Sequence, residues 1–561
     1  MRKFINILLI LICLSATTYA QTNDNILFKA MEDEMKRAEK DLKLPGAPPI
    51  YFISCTVSEN RYVSITSSKG SVVYVKESPK ERMHSINLYV GNSKLSSDYS
   101  YSGNGMVSQQ FTTSDDNYDQ LRRNFWQTYD LAYKFAVEVY NSKKNNLKTA
   151  NLSDEEKALE DITPLKKIEV YAPHLEQYTL DKKTLSDLAD KISLKISEVK
   201  GIFDAKAEID GIENVYYYVS NEGTKVKEPV AYIRITMSAK IRNSKKQVVK
   251  DKRVFYAKST QKLPTESELL SMASSFANDL SSMYDINSVD EYYLGPVLFV
   301  EEAAGAVFAE NIAGQSGVLS FRKPIQVMAT VARPENVGNM KNIKPLEERI
   351  GKKVVDSRIS VMNITSNIKF GGNELLGSYL YDAQGVKAKD SVILIQNGIL
   401  KTLLSTRVPT LKIKESTGSL RFGVKPRAIS LAQAPGNLVI KSASTANCDS
   451  LKRMLIASAK EEGLDYCYIV KKIAAYDEIK LVKVNVADGS EKIVTGAEIG
   501  VIPFTKLKRV LGVSAEQSLF NYLFNDEIPV SVVHPKGILI EDVEIDKKPL
   551  SVQKESKLII N

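Results

Sequence analysis

His84, His174 and His534 are the only histidines in the 561-residue chain. They fall in different segments, and no pair has the spacing by which one helix or hairpin offers two ligands to a metal. A lone histidine is more often a hydrogen-bonded structural residue than a ligand, and each is read that way. No Gly-x-Ser-x-Gly elbow marks a nucleophilic serine. No phosphate-cradling Gly-x-x-x-x-Gly-Lys-Ser/Thr loop occurs, and no dinucleotide fingerprint follows a strand. Adjacent acids such as Glu301-Glu302 read as a solvated helix face. The informative stretch is Gly295-Pro-Val-Leu-Phe-Val-Glu-Glu-Ala-Ala-Gly-Ala-Val-Phe-Ala-Glu310, an apolar strand followed by a helix of small residues.

The first twenty residues stand apart from the rest. Arg2 and Lys3 make a basic start, Leu8 to Leu14 is an apolar run, and Thr18-Tyr19-Ala20 offers the small residues a signal peptidase reads. This pattern predicts a secretory signal cut before Gln21, hence an exported, periplasmic protein. Ile12 stands where a lipoprotein signal has a small residue before its cysteine, so Cys13 is not taken as a lipidation site. No later segment reaches the ~18 apolar residues of a membrane span, which argues against a stable membrane anchor. Cys55, Cys448 and Cys467 would remain after cleavage. None forms a Cys-x-x-Cys pair. Export permits disulfides, and Cys448–Cys467 could close a loop, but an odd count leaves at least one thiol free or joined to another chain. The net charge of +9 is spread over the whole chain beside nearly as many acids. Nucleic-acid binders concentrate their basic residues on one face, so no nucleic-acid partner is expected.

The elements that must position any site follow from hydrophobic periodicity. Helices are predicted at 25–43, 117–146, 153–161, 183–199 and 266–283. Strands are predicted at 51–56, 62–66, 71–76, 85–90, 204–209, 213–220, 229–239 and 247–257, with a loop over 94–116. Beyond Gly295-Pro296 a small-residue helix at 299–312 precedes many short strands. Among these, Asn397-Gly398 between two apolar runs is a strong hairpin signal. Helices near 449–462 and 505–512, and strands near 467–486, 529–533 and 537–546, close the chain. The pattern is α+β, with long helices and an antiparallel sheet in an N-terminal region (21–290, the 117–150 helix inserted) and a β-rich C-terminal domain (291–561).

The order and spacing of several C-terminal segments resemble the TldD/PmbA family, known as zinc peptidases or modulators of DNA gyrase. Besides the Gly295–Glu310 stretch, they are Ile350-Gly-Lys-Lys-Val-Val-Asp-Ser-Arg-Ile-Ser-Val, Gly377-Ser-Tyr-Leu-Tyr-Asp-Ala-Gln-Gly385, Val392-Ile-Leu-Ile-Gln-Asn-Gly-Ile-Leu400, Ser416-Thr-Gly-Ser-Leu-Arg421 and Thr495-Gly-Ala-Glu-Ile, followed by Leu511-Gly-Val. In the family an Ala-rich helix carries His-Glu-x-x-x-His. Laid over this chain, that motif falls on Ala309-Glu310-Asn311-Ile312-Ala313-Gly314. The glutamate is kept, and both histidine positions are lost, to Ala309 and Gly314.

Catalytic zinc needs three protein ligands and an open position for water, and the glutamate then acts as general base. Glu310 is therefore expected to be vestigial, an ordinary helix carboxylate. No metal or other cofactor is expected in this chain. The family's third ligand is a cysteine further along, and neither Cys448 nor Cys467 sits in a matching motif. The resemblance implies a metal-free PmbA/TldE-type subunit that pairs with a zinc-bearing TldD-like paralogue, or with itself, around an unfolded peptide. Its hairpins could dock that peptide as an added strand. Two other readings stay open: an active hydrolase with atypical residues such as Glu310 with Cys448 or Cys467, and a peptide-binding or envelope structural module. The family's link to gyrase fits poorly with an exported chain.

Overall fold

The computed structural model describes residues 26–98, 108–149, 152–173, 180–289, 291–314, 317–322, 346–473 and 480–548. The expected secretory signal and His174 lie outside the described residues. The fold is α+β, with largely antiparallel sheets.

An eight-stranded sheet organises the N-terminal part. Its strands are β1 (Ile50–Ser68), β2 (Ser71–Glu77), β3 (Glu81–Val90), β4 (Ser108–Thr112), β5 (Val170–Tyr171), β6 (Ile202–Ser220), β7 (Lys225–Arg242) and β8 (Val248–Ala257). The order is β4-β3-β1-β6-β7-β5, with β2 on β1 and β8 on β7. Side chains alternate across a strand, and here the alternation assigns each face a partner. Ile53, Cys55, Val57, Tyr217 and Val219 pack under helix α1 (26–41) and α2 (Tyr118–Asn146). Val63, Ile65, Ala205, Ala207 and Ile209, on the same face, pack under α4 (Lys182–Ser197) and α5 (Glu266–Ser281). The other face presents Tyr62, Ile212, Tyr216 and Tyr232 to the C-terminal part. Tyr216 stacks there on Phe422 at 4.0 Å.

Side-chain oxygens cap the long helices: Asn117 accepts from Gln120 N on α2, Asp181 from Lys183 N on α4, and Thr265 forms a capping box with Glu268 on α5. The short acidic helix is a single turn, α3 (Asp154–Lys157). β1 and β6 each run through a stretch expected to break them. In β1, Ser58 and Asn60 are buried, and Ser58 Oγ donates to Asn214 Oδ1 of β6 at 2.8 Å. Arg82 and Lys80 neutralise Glu59. The Ser58 hydroxyl and the Asn214 carbonyl oxygen satisfy each other across the two strands, whereas the Asn60 side-chain amide has no hydrogen-bond partner among the described residues. β2 is exposed along its whole length, with Val73 62% and Tyr74 50% accessible.

Two sheets face each other in the C-terminal part. The first contains β9 (Asn287–Ser288), β10 (Tyr293–Val300), β19 (Tyr466–Lys472), β20 (Lys480–Asn485), β21 (Glu491–Thr495), β22 (Ala497–Ile499), β23 (Gly512–Val513) and β26 (Gly537–Lys547). The second has the order β15-β14-β11-β18-β25-β24, from β11 (Ile359–Ile364), β14 (Ser391–Gln396), β15 (Ile399–Leu400), β18 (Asn437–Ser442), β24 (Gln517–Phe524) and β25 (Ile528–Pro535). Two small hairpins, β12 (Lys369–Phe370) with β13 (Asn373–Glu374) and β16 (Leu420–Phe422) with β17 (Leu431–Gln433), lie beside them.

Helix α6 (Glu302–Phe308) touches β10 and β19 of the first sheet and β24 and β25 of the second. Ala303, Ala304, Val307 and Phe308 join the main core at that point. The small residues allow two sheets to approach one helix closely. The expected 299–312 helix is thus shorter and starts at Glu302, because Phe299 and Val300 complete β10. It ends in a π-helical turn, Ala309–Ala313.

Candidate functional site

The turn Ala309–Ala313 carries the positions where the sequence places the lost motif. Ala309 is buried at 6% exposure, whereas Glu310 points to solvent. The Glu310 carboxylate makes no hydrogen bond or ion pair among the described residues. Asn311 is buried, and its amide donates to the Val307 carbonyl at 3.0 Å, closing the widened turn on itself. Gly314 ends the turn. A Cβ there would stand 2.2 Å from the Glu310 carbonyl oxygen, so this backbone admits no side chain at 314.

The described histidines do not complete the site. His84 Nε2 is 2.6 Å from Thr128 Oγ1 under α2, and burial pushes its pKa down to about 4. His534 sits in β25 behind α6, its Nδ1 2.9 Å from the Pro535 carbonyl oxygen, and burial lowers its pKa to about 4 as well. Both are neutral core residues near pH 7.

The three described cysteines are free thiols. Cys55 is in the N-terminal core. Cys448 begins helix α7 (Cys448–Glu461), which packs with Cys467 against Leu298, Val300 and Leu539. The alternate residues Val297, Phe299, Tyr468 and Val470 face the core around α6. Cys467 therefore points to the side of the first sheet away from Glu310. Burial raises the Cys448 thiol to about 11 and the Cys467 thiol to about 12, so neither is a thiolate at neutral pH.

These residues do not fit a zinc ion. The positions that would hold it offer a methyl group and a glycine without room for a side chain. The cysteines lie behind a sheet. No group of three or more His, Cys, Asp or Glu is arranged to hold a metal among the described residues. The pairing of Glu310 with Cys448 or Cys467 as an atypical hydrolytic site is excluded by the same placement.

A cleft of about 640 Å³ opens where the two halves of the chain meet, and sequence reasoning missed it. Its walls come from β8, the β12–β13 hairpin, β24 and the first residue of α6; Lys258, Lys262, Phe370, Glu374, Tyr522 and Glu302 are among the lining residues. β8 pairs only with β7 and β24 only with β25 among the described strands, so each brings a free strand edge to the cleft. Lys258 Nζ donates to Ser378 Oγ at 2.7 Å, and Lys262 pairs with Glu374 at 2.9 Å. Burial lowers Lys258 to about 8, an effect only partly offset by Glu374 and Glu228. The Tyr522 hydroxyl is buried and has no hydrogen-bond partner among the described residues. One sequence signal could have found the missed strand β24. Asn525 and Asp526 both have positive φ, the turn chemistry of a tight hairpin, and they separate two apolar runs.

Residues 327–546 match the model of the PmbA/TldA metallopeptidase C-terminal domain. The chain is similar in fold to a candidate modulator of a DNA gyrase from Thermotoga maritima MSB8 (TM-score 0.57, 14% identity, 92% of this chain and 100% of that one). It is also similar to TldE from Thermococcus kodakarensis (TM-score 0.54, 14% identity, 92% of this chain and 99% of that one). A third similar structure is a candidate modulator of DNA gyrase from Bacteroides thetaiotaomicron VPI-5482 (TM-score 0.56, 12% identity, 92% and 98%). At such identities the likeness shows the fold. A curated protein described as a metalloprotease, from Methanothermobacter thermautotrophicus, is 32% identical over 85 residues. That match spans 15% of this chain and 17% of the relative's length. Residues 327–546 thus carry a domain of the PmbA/TldA metallopeptidase C-terminal type, set in a chain whose fold is shared along nearly its full length with these solved structures.

Proposed function

We propose that this protein is the non-catalytic member of a peptide-degrading assembly, acting outside the cytoplasm beside a paralogue that keeps His-Glu-x-x-x-His. The family supports a peptidase-related role. The observation that carries the non-catalytic part is Gly314, whose backbone has no room for a ligand side chain and stands four residues after Glu310. Without a metal beside it, a solvated carboxylate has no activated water to deprotonate. The leader-like residues 1–20 support the location.

What the chain contributes is a place for an extended peptide. β8 and β24 converge where Leu523 packs with Tyr232 and Tyr256, then diverge around the cleft. A peptide laid along either edge would satisfy main-chain donors and acceptors left free by the sheets, independently of its sequence. That suits a subunit that handles unfolded chains.

The test is co-expression with the nearest paralogue bearing an intact motif. The expected result is a stable complex that cleaves unstructured peptides, with zinc in the paralogue only. The chain purified alone is expected to be inert. Stoichiometric zinc and cleavage by this chain alone would overturn the proposal.

A further inference from the structure

The cleft holds more positive than negative charge at one end. Lys258, Lys262 and Lys369 line it there, opposed by Glu374. Behind this wall Arg421 is buried and makes no ion pair among the described residues. It donates to the Pro435 and Pro529 carbonyls at 2.7 and 2.8 Å and lies 4.6 Å from the Tyr379 ring. The nearby acid is Glu228, whose carboxylate already accepts from Leu380 N at 3.0 Å and Tyr381 N at 3.4 Å. Glu374 is engaged by Lys262. Lys258 is left with a neutral partner, Ser378, and no ion pair among the described residues. Tyr522, in the same cleft, carries a buried hydroxyl with no acceptor among the described residues. A half-buried ammonium with no direct ion pair and a buried hydroxyl with no partner among the described residues are both costly unless something supplies an acceptor. Lys258 and Tyr522 both line the cleft, and a carboxylate is an acceptor for either.

We propose that the Lys258 end of the cleft binds a carboxylate of the docked peptide, the amine supplying the charge and the Tyr522 hydroxyl a second donor. This rests on the peptide-docking reading above and adds a preference that docking along a strand edge does not give. The carboxylate could come from the peptide's C-terminus or from an acidic side chain, and the two sources are separable.

The full-length protein would be titrated into fluorescently labelled, unstructured peptides while anisotropy is followed. One pair of peptides differs only in a free or amidated C-terminus, and a second pair only in one internal Glu or Gln. Removing the relevant carboxylate is expected to weaken binding about tenfold, as for loss of one charge-assisted hydrogen bond. Lys258→Met and Tyr522→Phe should each abolish or sharply reduce that difference while leaving the affinity for the neutral peptide in place. Lys258→Arg, a control for folding as well as charge, should keep it. Equal binding of charged and neutral peptides in both pairs, or a preference that survives Lys258→Met, would overturn the inference and leave peptide docking standing. If no peptide binds, the docking reading falls and the inference falls with it.

Discussion

Gly305 and His534 are in direct contact across the C-terminal core: a Cβ on Gly305 would stand 2.7 Å from His534 Nε2 and 2.5 Å from Phe520 Cβ. Helix α6 is held between the sheets by this fit. Gly305→Ala trades a small gain in helix propensity for overpacking. It should destabilise the protein by about 2 kcal/mol. Urea unfolding measures it, and a variant as stable as the wild type would show that the helix can shift away from β24 and β25.

Restoring the two imidazoles should not restore the metal. The double variant Ala309→His with Gly314→His puts a side chain where the Glu310 carbonyl already stands, and Cys467 points to the far side of the first sheet. Zinc content after dialysis is expected to stay far below one ion per chain. Stoichiometric zinc would mean that the π-helical turn rearranges readily.

Lys143 and Asp161 form a buried ion pair at 2.7 Å, with side chains 2% and 5% exposed. Asp161 also accepts from Ser96 N at 2.7 Å. Lys143→Met leaves the carboxylate inside without its close cation and should cost about 3 kcal/mol. Adding Asp161→Asn should recover part of that loss. A single variant that melts like the wild type would show that Arg322, 3.6 Å from Asp161, suffices as counter-charge.

Glu228 gives a pH signature with a definite sign. Burial raises its pKa to about 7, against the favourable pull of two backbone N–H donors and Arg421. Between its unfolded pKa and about 7 the folded state holds a proton that the unfolded state lacks, so its contribution to stability declines as pH rises through that window. Asp382, also raised to about 7, acts in the same direction, while the depressed His84 and His534 act oppositely below their unfolded pKa. A comparison with Glu228→Gln isolates the one group. The stability of the variant relative to wild type should improve from pH 5 to pH 8, by on the order of 3 kcal/mol. A flat difference would refute the assignment.

The carboxylate preference of the cleft should fade with alkali. Lys258 titrates at about 8, with Glu374 and Glu228 favouring its charge, and burial, Arg421 and Lys262 opposing it. Binding of the charged peptide should approach that of the neutral one as pH rises from 7 to 9. A preference unchanged over that range would point to Arg421 or Lys262 as the anchor.

How much was legible beforehand depended on where the hydrogen bonds and walls come from. Helices such as α2 and α4 announce themselves through apolar spacing and caps, and Asn397-Gly398 marks its hairpin, with positive φ at both residues. β1 was divided in expectation at Ser58–Asn60, because the partner that satisfies Ser58, Asn214, stands 156 positions away. The loss of both motif histidines could be read from residue identity alone. The reason Gly314 cannot simply be replaced could not, since the obstacle is a carbonyl oxygen in a widened helical turn. The cleft was invisible for a similar reason. Lys258 and Tyr522 belong to different halves of the chain, and nothing in either local pattern indicates the other.

β2 offers Val72, Val73, Tyr74 and Val75 to water on a ribbon hydrogen-bonded along one margin only among the described residues. Such a border is adhesive toward any other strand with unsatisfied amides. Crowding will favour sticking between molecules through this ribbon, and dilution will reverse it. A lysine at Val73 should keep concentrated samples dispersed while leaving the cleft untouched.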